Sequence, residues 1–256
     1  MDKPLKDKVA LVTGASRGIG RAIAKRLGRD GALVAVHYRR DKKAAETTAR
    51  EIEKSGGEAF TLKADFSSLR GVRVLFQRLD EALKERTRSR RFDVLVNNAG
   101  ISPVATVEDT TEALFDELVA VNLKAPFFVV QQSLPRLRDG GRIINISSAT
   151  SLFAYPEKAA YSMLKAALNT FTLLLAKELG PRGITVNAIT PGIVDTDAHG
   201  GWLRDPKARK HAASVAALGR VGLPEDIADV AAFLASSDSR WVTGALIDAT
   251  GGSLLD

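Results

Sequence analysis

The chain has 256 residues, 45% of them hydrophobic, with 37 lysines and arginines against 30 aspartates and glutamates, a net charge of +7, and no cysteine. This length suits one large α/β domain, and the missing cysteines exclude disulfides, thiolate metal sites and a cysteine nucleophile. His37, His199 and His211 share no metal-ligand spacing, so no metal site is expected; with no apolar run fit for a signal peptide or a bilayer crossing, a soluble, cytoplasmic protein without a membrane partner is expected.

Taken in order, Val9–Val12 is a short apolar run that ends in Thr13-Gly-Ala-Ser-Arg-Gly-Ile-Gly20, after which Ile19, Ile23 and Leu27 repeat at helical spacing. Buried strand, glycine turn, helix is the reading. Such a turn leaves backbone N–H groups at the positive end of a helix, where a pyrophosphate docks. The spacing is Gly-x-x-x-Gly-x-Gly (Gly14, Gly18, Gly20) rather than the commoner Gly-x-Gly-x-x-Gly. Leu33–Tyr38 is a second strand. Its end lacks the acid that would accept the ribose 2′-hydroxyl of NAD, and offers Tyr38, Arg39 and Arg40 instead, with Arg17 in the glycine turn; these favour the 2′-phosphate of NADP(H).

Lys42–Ser55 has helical periodicity and stops at Gly56-Gly57; Ala59–Ala64 alternates as a strand and delivers Asp65 and Phe66. The Asp65 carboxylate either meets an adenine amino group or caps the helix introduced by Ser67 and Ser68. The basic run Lys84–Arg91 has no interleaved aromatics and sits between a helix and a strand, so a solvated loop, not nucleic-acid binding, is the expectation. Phe92–Val96 is a strand followed by Asn97-Asn-Ala-Gly100, where small residues let a ligand approach the backbone and the asparagines could equally tie strands together. A helix then runs through Phe115 and Leu118 past Asn122, which needs partners if buried, to a stop at Gly140-Gly141.

Arg142–Ile146 is a fifth strand that delivers Ser147 and Ser148 at its carboxyl end, where open parallel sheets bind ligands. In the next helix, Leu164, Leu168, Phe171 and Leu175 fall at helical spacing, so Tyr161 and Lys165, at i and i+4, share a face. An ammonium beside a phenol favours the phenolate, which equips the pair for acid/base chemistry. After Gly180-Pro181 come a strand at Ile184–Ile189 and Pro191-Gly192-Ile-Val-Asp-Thr196, then a loop-plus-helix segment at 194–217 containing Gly200-Gly201 and Trp202 of the kind that covers a substrate. A helix at Pro224–Ala235 and a strand at Ala245–Ala249 complete one unbroken alternation. The expectation is a single domain over 1–256, with a doubly wound, seven-stranded parallel sheet and helices on both faces.

The glycine turn, Asn97-Asn-Ala-Gly100, Asn122, Ser148, Tyr161-x-x-x-Lys165 and Pro191-Gly192 with Thr196 together resemble the short-chain dehydrogenase/reductase family over nearly the whole chain. The likeness is greatest to its 3-oxoacyl-[acyl-carrier-protein] reductase-like group, with Gly219–Glu225 and Val242–Asp248 matching carboxyl-terminal segments. The resemblance implies a Rossmann-type fold and NADPH-dependent reduction of a carbonyl. Tyr161 would protonate the oxygen, Lys165 lower the tyrosine's pKa and bind the nicotinamide ribose, Ser148 rather than Ser147 hydrogen-bond the oxygen, and Asn122 hold a relay water. It also implies cofactor contacts from Gly14, Ser16, Arg17, Gly18, Ile19 and Gly20, from Asp65, Phe66, Asn97, Ala99 and Gly100, and from Pro191, Gly192, Val194 and Thr196. Phe153, Tyr155, Trp202 and Leu203 suggest a partly apolar carbonyl substrate: an acyl thioester, a polyketide, a steroid or an aromatic ketone. A homotetramer built on the Tyr161 helix and the last strand is implied by resemblance alone.

Overall fold

The computed structural model describes residues 3–196 and 201–255. Strands β1 (Val9–Val12), β2 (Leu33–Tyr38), β3 (Glu58–Lys63), β4 (Phe92–Asn97), β5 (Leu137–Ile146), β6 (Thr185–Pro191) and β7 (Leu246–Ala249) form one sheet in the order β3-β2-β1-β4-β5-β6-β7. Every pairing is parallel. The helices are α1 (Gly18–Arg29), α2 (Lys42–Lys54), α3 (Leu69–Thr87), α4 (Glu112–Val119), α5 (Ala125–Ser133), α6 (Ala159–Leu179), α7 (Pro206–Val215) and α8 (Pro224–Ala235).

A strand buried on both faces reads as a continuous apolar run, and period-two alternation sorts its residues between two cores. Ala10, Val12, Val34, Val36, Val94 and Val96 pack with Ile23 of α1 and Ile227 of α8. Val9, Leu11, Ala35, Phe60 and Leu95 face the other way, onto Leu75 of α3, Val129 of α5 and Leu175 of α6. The molecule is thus a single Rossmann-type domain with helices on both faces. Strand order reverses between β1 and β4, so a ligand crevice opens where the glycine turn and the Asn97–Gly100 loop leave the sheet.

Three expectations need correction. Gly140-Gly141 does not end a helix: α5 stops at Ser133, and residues 137–141 already belong to β5, entering through a register shift against β4. The stretch from α4 to α5 is not one regular helix, because a π-helical turn, Ala120–Lys124, interrupts it at Asn122; such turns often mark functional sites. Finally, Ala159–Arg182 is long and apolar enough to cross a membrane by length and composition alone. Here Leu164, Leu168, Leu175 and Leu179 of this stretch are buried in the protein, beside the polar Lys165, Asn169 and Thr172.

Candidate active site

At the β1–α1 end, the glycine turn is held from three sides. The Thr13 hydroxyl donates to the Val96 carbonyl (3.1 Å) and accepts from the N–H groups of Asn98 and Ala99. The Asn98 carboxamide donates to the carbonyls of Thr13 (2.9 Å) and Gly14 (3.0 Å). His37 is buried at the end of β2: its Nδ1 accepts from Gly14 N–H at 3.0 Å, its backbone carbonyl accepts from Ala15 N–H, and its Nε2 lies 3.2 Å from the Ala64 carbonyl. Since Nδ1 accepts, Nε2 carries the proton, and the ring is neutral. Burial pushes its pKa down to about 4, and the ring stacks on Phe66.

The glycines serve different ends. Gly14 and Gly18 are left-handed, at φ +64 and +54. A Cβ at Gly20 would overlap Asn98 Nδ2 and the Gly14 carbonyl, so that glycine lets the turn pack on its neighbours; Gly18 faces Thr196 across ordinary contact distance. The N–H groups at the start of α1 therefore border the crevice beside Thr196, as a docked pyrophosphate requires.

At the adenosine end the structure gives four of the expected side chains definite partners, and for Asn97 it bears out the reading that the asparagines tie strands together. Tyr38 is buried in the core with Val34 and Val36, so it is not a surface group at the strand end. Arg39 is tied to two carboxylates, Asp65 at 2.9 Å and Glu117 at 3.4 Å. Asp65 accepts from Ser67 N–H at 3.0 Å; burial raises its pKa, but the bonds from Ser67 and Arg39 outweigh this and hold it below the usual carboxylate range. It caps no helix, since α3 begins after Ser68. The Asn97 carboxamide is buried and donates to Asn145, whose own amide donates to Thr172, a polar chain running from β4 to α6. Arg17 and Arg40 are exposed and carry no ion pair among the described residues.

At the other end of the crevice, α6 presents Tyr161 between two lysines. The ammonium groups of Lys165 and Lys158 each lie 5.6 Å from the phenol ring centre. Lys165 is buried and donates to the Ile146 carbonyl at 2.7 Å; burial pulls its pKa down to about 8. An ammonium has three donors, and Lys165 uses one of them among the described residues. Desolvation raises the Tyr161 pKa above its usual value, and the neighbouring hydroxyls of Ser148 and Ser102 pull it partly back. The Ser147 hydroxyl instead meets the Lys165 carbonyl at 3.3 Å, leaving Ser148 as the serine that faces the phenol.

Asn122 is fully buried, and both its amide hydrogens are used: Nδ2 donates to the carbonyls of Ile101 (3.0 Å) and Leu118 (3.2 Å), while Oδ1 accepts from Ile101 N–H. It fixes the Gly100–Ser102 segment, and Oδ1 keeps a second lone pair. A Cβ on Gly100 would come within 2.8 Å of Asn122 Oδ1, so this close approach needs glycine. Val194 is a core residue that can offer only its backbone, and Pro191-Gly192 lies against β7 and Thr250. Leu203 is also buried, packed with Ala212 and Val221, whereas Phe153, Tyr155 and Trp202 stand 43%, 42% and 46% exposed. His199 and Gly200, within the anticipated 194–217 loop, lie outside the described residues. A cavity of ≈ 740 Å³ bounded by Gly18, Arg21, Thr196, Leu203 and Arg209 adjoins the glycine turn but includes none of Ser148, Tyr161 or Lys165.

Sequence reasoning passed over the parts played by His37, Ser102 and Lys158, while Asn98 bears out the reading that the asparagines tie neighbouring strands together. Lys158 had no helical signal, because it precedes α6 with non-helical backbone. Ser102 had none; only the tertiary fold brings it to the phenol.

Comparison with known proteins agrees with this geometry. The family model described as enoyl-(acyl carrier protein) reductase matches residues 14–253. The hydroxynaphthalene reductase-like protein Arp2 of Metarhizium brunneum is 41% identical, over 98% of this chain and 97% of its own length. Among solved structures, the angucycline C-6 ketoreductase LanV with bound NADP superposes with a TM-score of 0.95 at 50% identity, covering 99% of this chain and 98% of that one. The reductase LugOII, which catalyses keto-reduction at C1 during lugdunomycin biosynthesis, gives 0.96 at 50% identity, covering 98% and 100%. These relatives correct the narrower likeness to 3-oxoacyl-[acyl-carrier-protein] reductases, since they are named for angucycline, lugdunomycin-pathway and hydroxynaphthalene reduction. The chain belongs to the short-chain dehydrogenase/reductase family of oxidoreductases, alongside its polyketide and hydroxynaphthalene ketoreductases.

Proposed function

We propose that this enzyme uses NADPH to reduce a ketone on a fused-ring aromatic substrate to a secondary alcohol, with Tyr161 as the proton donor. The observation that carries the reading is the half-buried Tyr161 phenol held against Ser148 and flanked by two ammonium groups. NADPH, when bound, supplies the hydride. The residues present fit that cofactor: the left-handed glycine turn and the start of α1 suit its pyrophosphate, Arg17 and Arg40 suit a 2′-phosphate, and two spare donors on buried Lys165 suit ribose hydroxyls. LanV, half identical in sequence, holds NADP.

On the substrate side, the Ser148 hydroxyl accepts from Thr150 N–H at 3.3 Å and lies 3.0 Å from the Thr150 hydroxyl; with Thr150 as the donor in that pair, the Ser148 proton is left for a carbonyl oxygen. Tyr161 then gives that oxygen its proton. Phe153, Tyr155 and Trp202 are exposed aromatics at the carboxyl ends of the strands, apt for a flat apolar ring system, and the ketoreductase relatives favour the same class. Exposed Met163, Leu173 and Leu174 on α6 and Trp241 ahead of β7 support a homotetramer over those two surfaces; a monomer by light scattering would refute that part.

The test is NADPH consumption with 1-tetralone against an acetoacetyl thioester. Preference for the bicyclic ketone is expected; preference for the thioester would overturn the substrate class. Tyr161→Phe should lower turnover about 10³-fold while NADPH still binds. Full turnover in that variant would remove Tyr161 as the donor.

A further inference from the structure

Tyr161, Lys165 and Asn169 fall at i, i+4 and i+8 of α6, along one stripe of the helix, and only the first two take part in the proposed reaction. Asn169 is buried, and its Nδ2 lies 2.9 Å from the Ser151 hydroxyl. Ser151 closes the 3₁₀ turn Ala149–Ser151, which Ser148 opens. The Ser151 hydroxyl donates to the Ser148 carbonyl at 2.7 Å, and its N–H reaches the same oxygen at 3.1 Å. A hydroxyl has one proton, used here on that carbonyl, so Ser151 accepts from Asn169 and the carboxamide turns its amide hydrogens toward the serine. On the other side of Ser148, the Ser147 hydroxyl donates to the Lys165 carbonyl at 3.3 Å.

The residues that flank Ser148 are thus tethered to α6 at Lys165 and at Asn169, one turn apart, and Tyr161 rides on the same helix about two turns before Asn169. We propose that Asn169 is a positioning residue for the carbonyl reduction: through Ser151 it fixes the backbone of Ser148, and so the place of the Ser148 hydroxyl, relative to the helix that carries Tyr161 and Lys165. The inference deepens the proposed function and rests on Ser148 being the donor to the substrate oxygen. No proton passes along this chain, since Asn169 and Ser151 only hold the turn. Negative charge grows on the substrate oxygen as hydride arrives, so a displaced Ser148 donor costs more in the transition state than in the bound ketone. The loss falls on kcat rather than on KM.

An asparagine kept for stability alone would behave differently. Its Oδ1 is buried and hydrogen-bonds no described residue, so Asn169→Leu, close in size, removes a group from which the fold gains little. The urea midpoint of that variant should hold or rise. Its kcat for 1-tetralone should nevertheless fall about tenfold, with KM nearly unchanged and with NADPH affinity, read by fluorescence without turnover, unmoved. Ser151→Ala should match this loss, and the double variant should go no further. In a Ser148→Ala background, Asn169→Leu should change kcat by about twofold or less, because no donor is left to place. An unchanged kcat in both Asn169→Leu and Ser151→Ala, or a tenfold loss that persists in the Ser148→Ala background, would overturn the proposal. So would a kcat that falls only in step with the urea midpoint. Ser151 is half-exposed, so Ser151→Ala carries the test even where Asn169→Leu folds poorly. Full turnover in Ser148→Ala would remove the oxygen donor itself, and this inference with it, a result distinguishable from the others because it needs no change at Asn169.

Discussion

The two ends of the crevice are built on opposite plans. At the glycine turn, Thr13, His37 and Asn98 hold the backbone closed in a web of buried hydrogen bonds, and little is left unsatisfied. At the Tyr161 end, donors remain open and aromatic side chains stand in solvent. The first end presents one fixed shape, as a constant ligand demands. The second keeps its polar chemistry on a rigid helix and its apolar surface on loops, a division that lets substrate choice vary while the reaction stays the same.

The contrast breaks most severely at Gly20. A methyl there overlaps Asn98 and the Gly14 carbonyl, both fixed, so Gly20→Ala should cost roughly 3 kcal/mol of stability and most of the NADPH affinity. Gly18→Ala meets only ordinary contact with Thr196 and should cost about 1 kcal/mol, from its left-handed φ. Urea unfolding of the two variants measures the gap. Equal losses would mean that the turn is less firmly packed than its bonds imply.

His37 gives the next largest effect, one that pH alone exposes. Its folded pKa is about 4 against an ordinary value of 6.5. Between those values the unfolded chain binds the proton and the folded one refuses it, so stability is complete above about pH 6.5 and falls as the pH drops. From pH 6.5 to 5 the loss should be about 2 kcal/mol. Glu51, held down to about 2 chiefly by Arg21, loses its contribution only below the ordinary 4.5, so that window reports on His37. His37→Gln should flatten the slope in denaturant melts across this range, and an unchanged slope would assign it to other groups.

The sheet was legible because doubly buried strands are continuous apolar runs, and α8 because proline opens it at Pro224. Tyr161 and Lys165 were legible from spacing within one helix. Tyr38 could have been read correctly: Val34, Val36 and Tyr38 share a strand face, which sends the ring inward and not to the cofactor. Arg39 could not, since its second partner, Glu117, lies on α4 far along the chain. The same holds for Asn122, whose partner Ile101 depends on where the β4 loop and the π-helical turn meet. Side-chain hydrogen bonds between distant segments leave no local period to detect.

The smallest effect lies at the open end and sharpens the contrast from the other side. Phe153 and Trp202 are nearly half exposed, and neither ring hydrogen-bonds any described residue, so truncation removes little that the fold depends on. Phe153→Ala and Trp202→Ala should each shift stability by no more than about 0.5 kcal/mol. If these rings hold a fused aromatic ketone, each loss should raise KM for 1-tetralone several-fold, roughly 1 kcal/mol of aromatic contact, and leave kcat nearly unchanged, because the binding lost is common to ground and transition states. A fall in kcat at constant KM would mean instead that the rings orient the carbonyl against Tyr161, making this end as sharply built as the glycine turn.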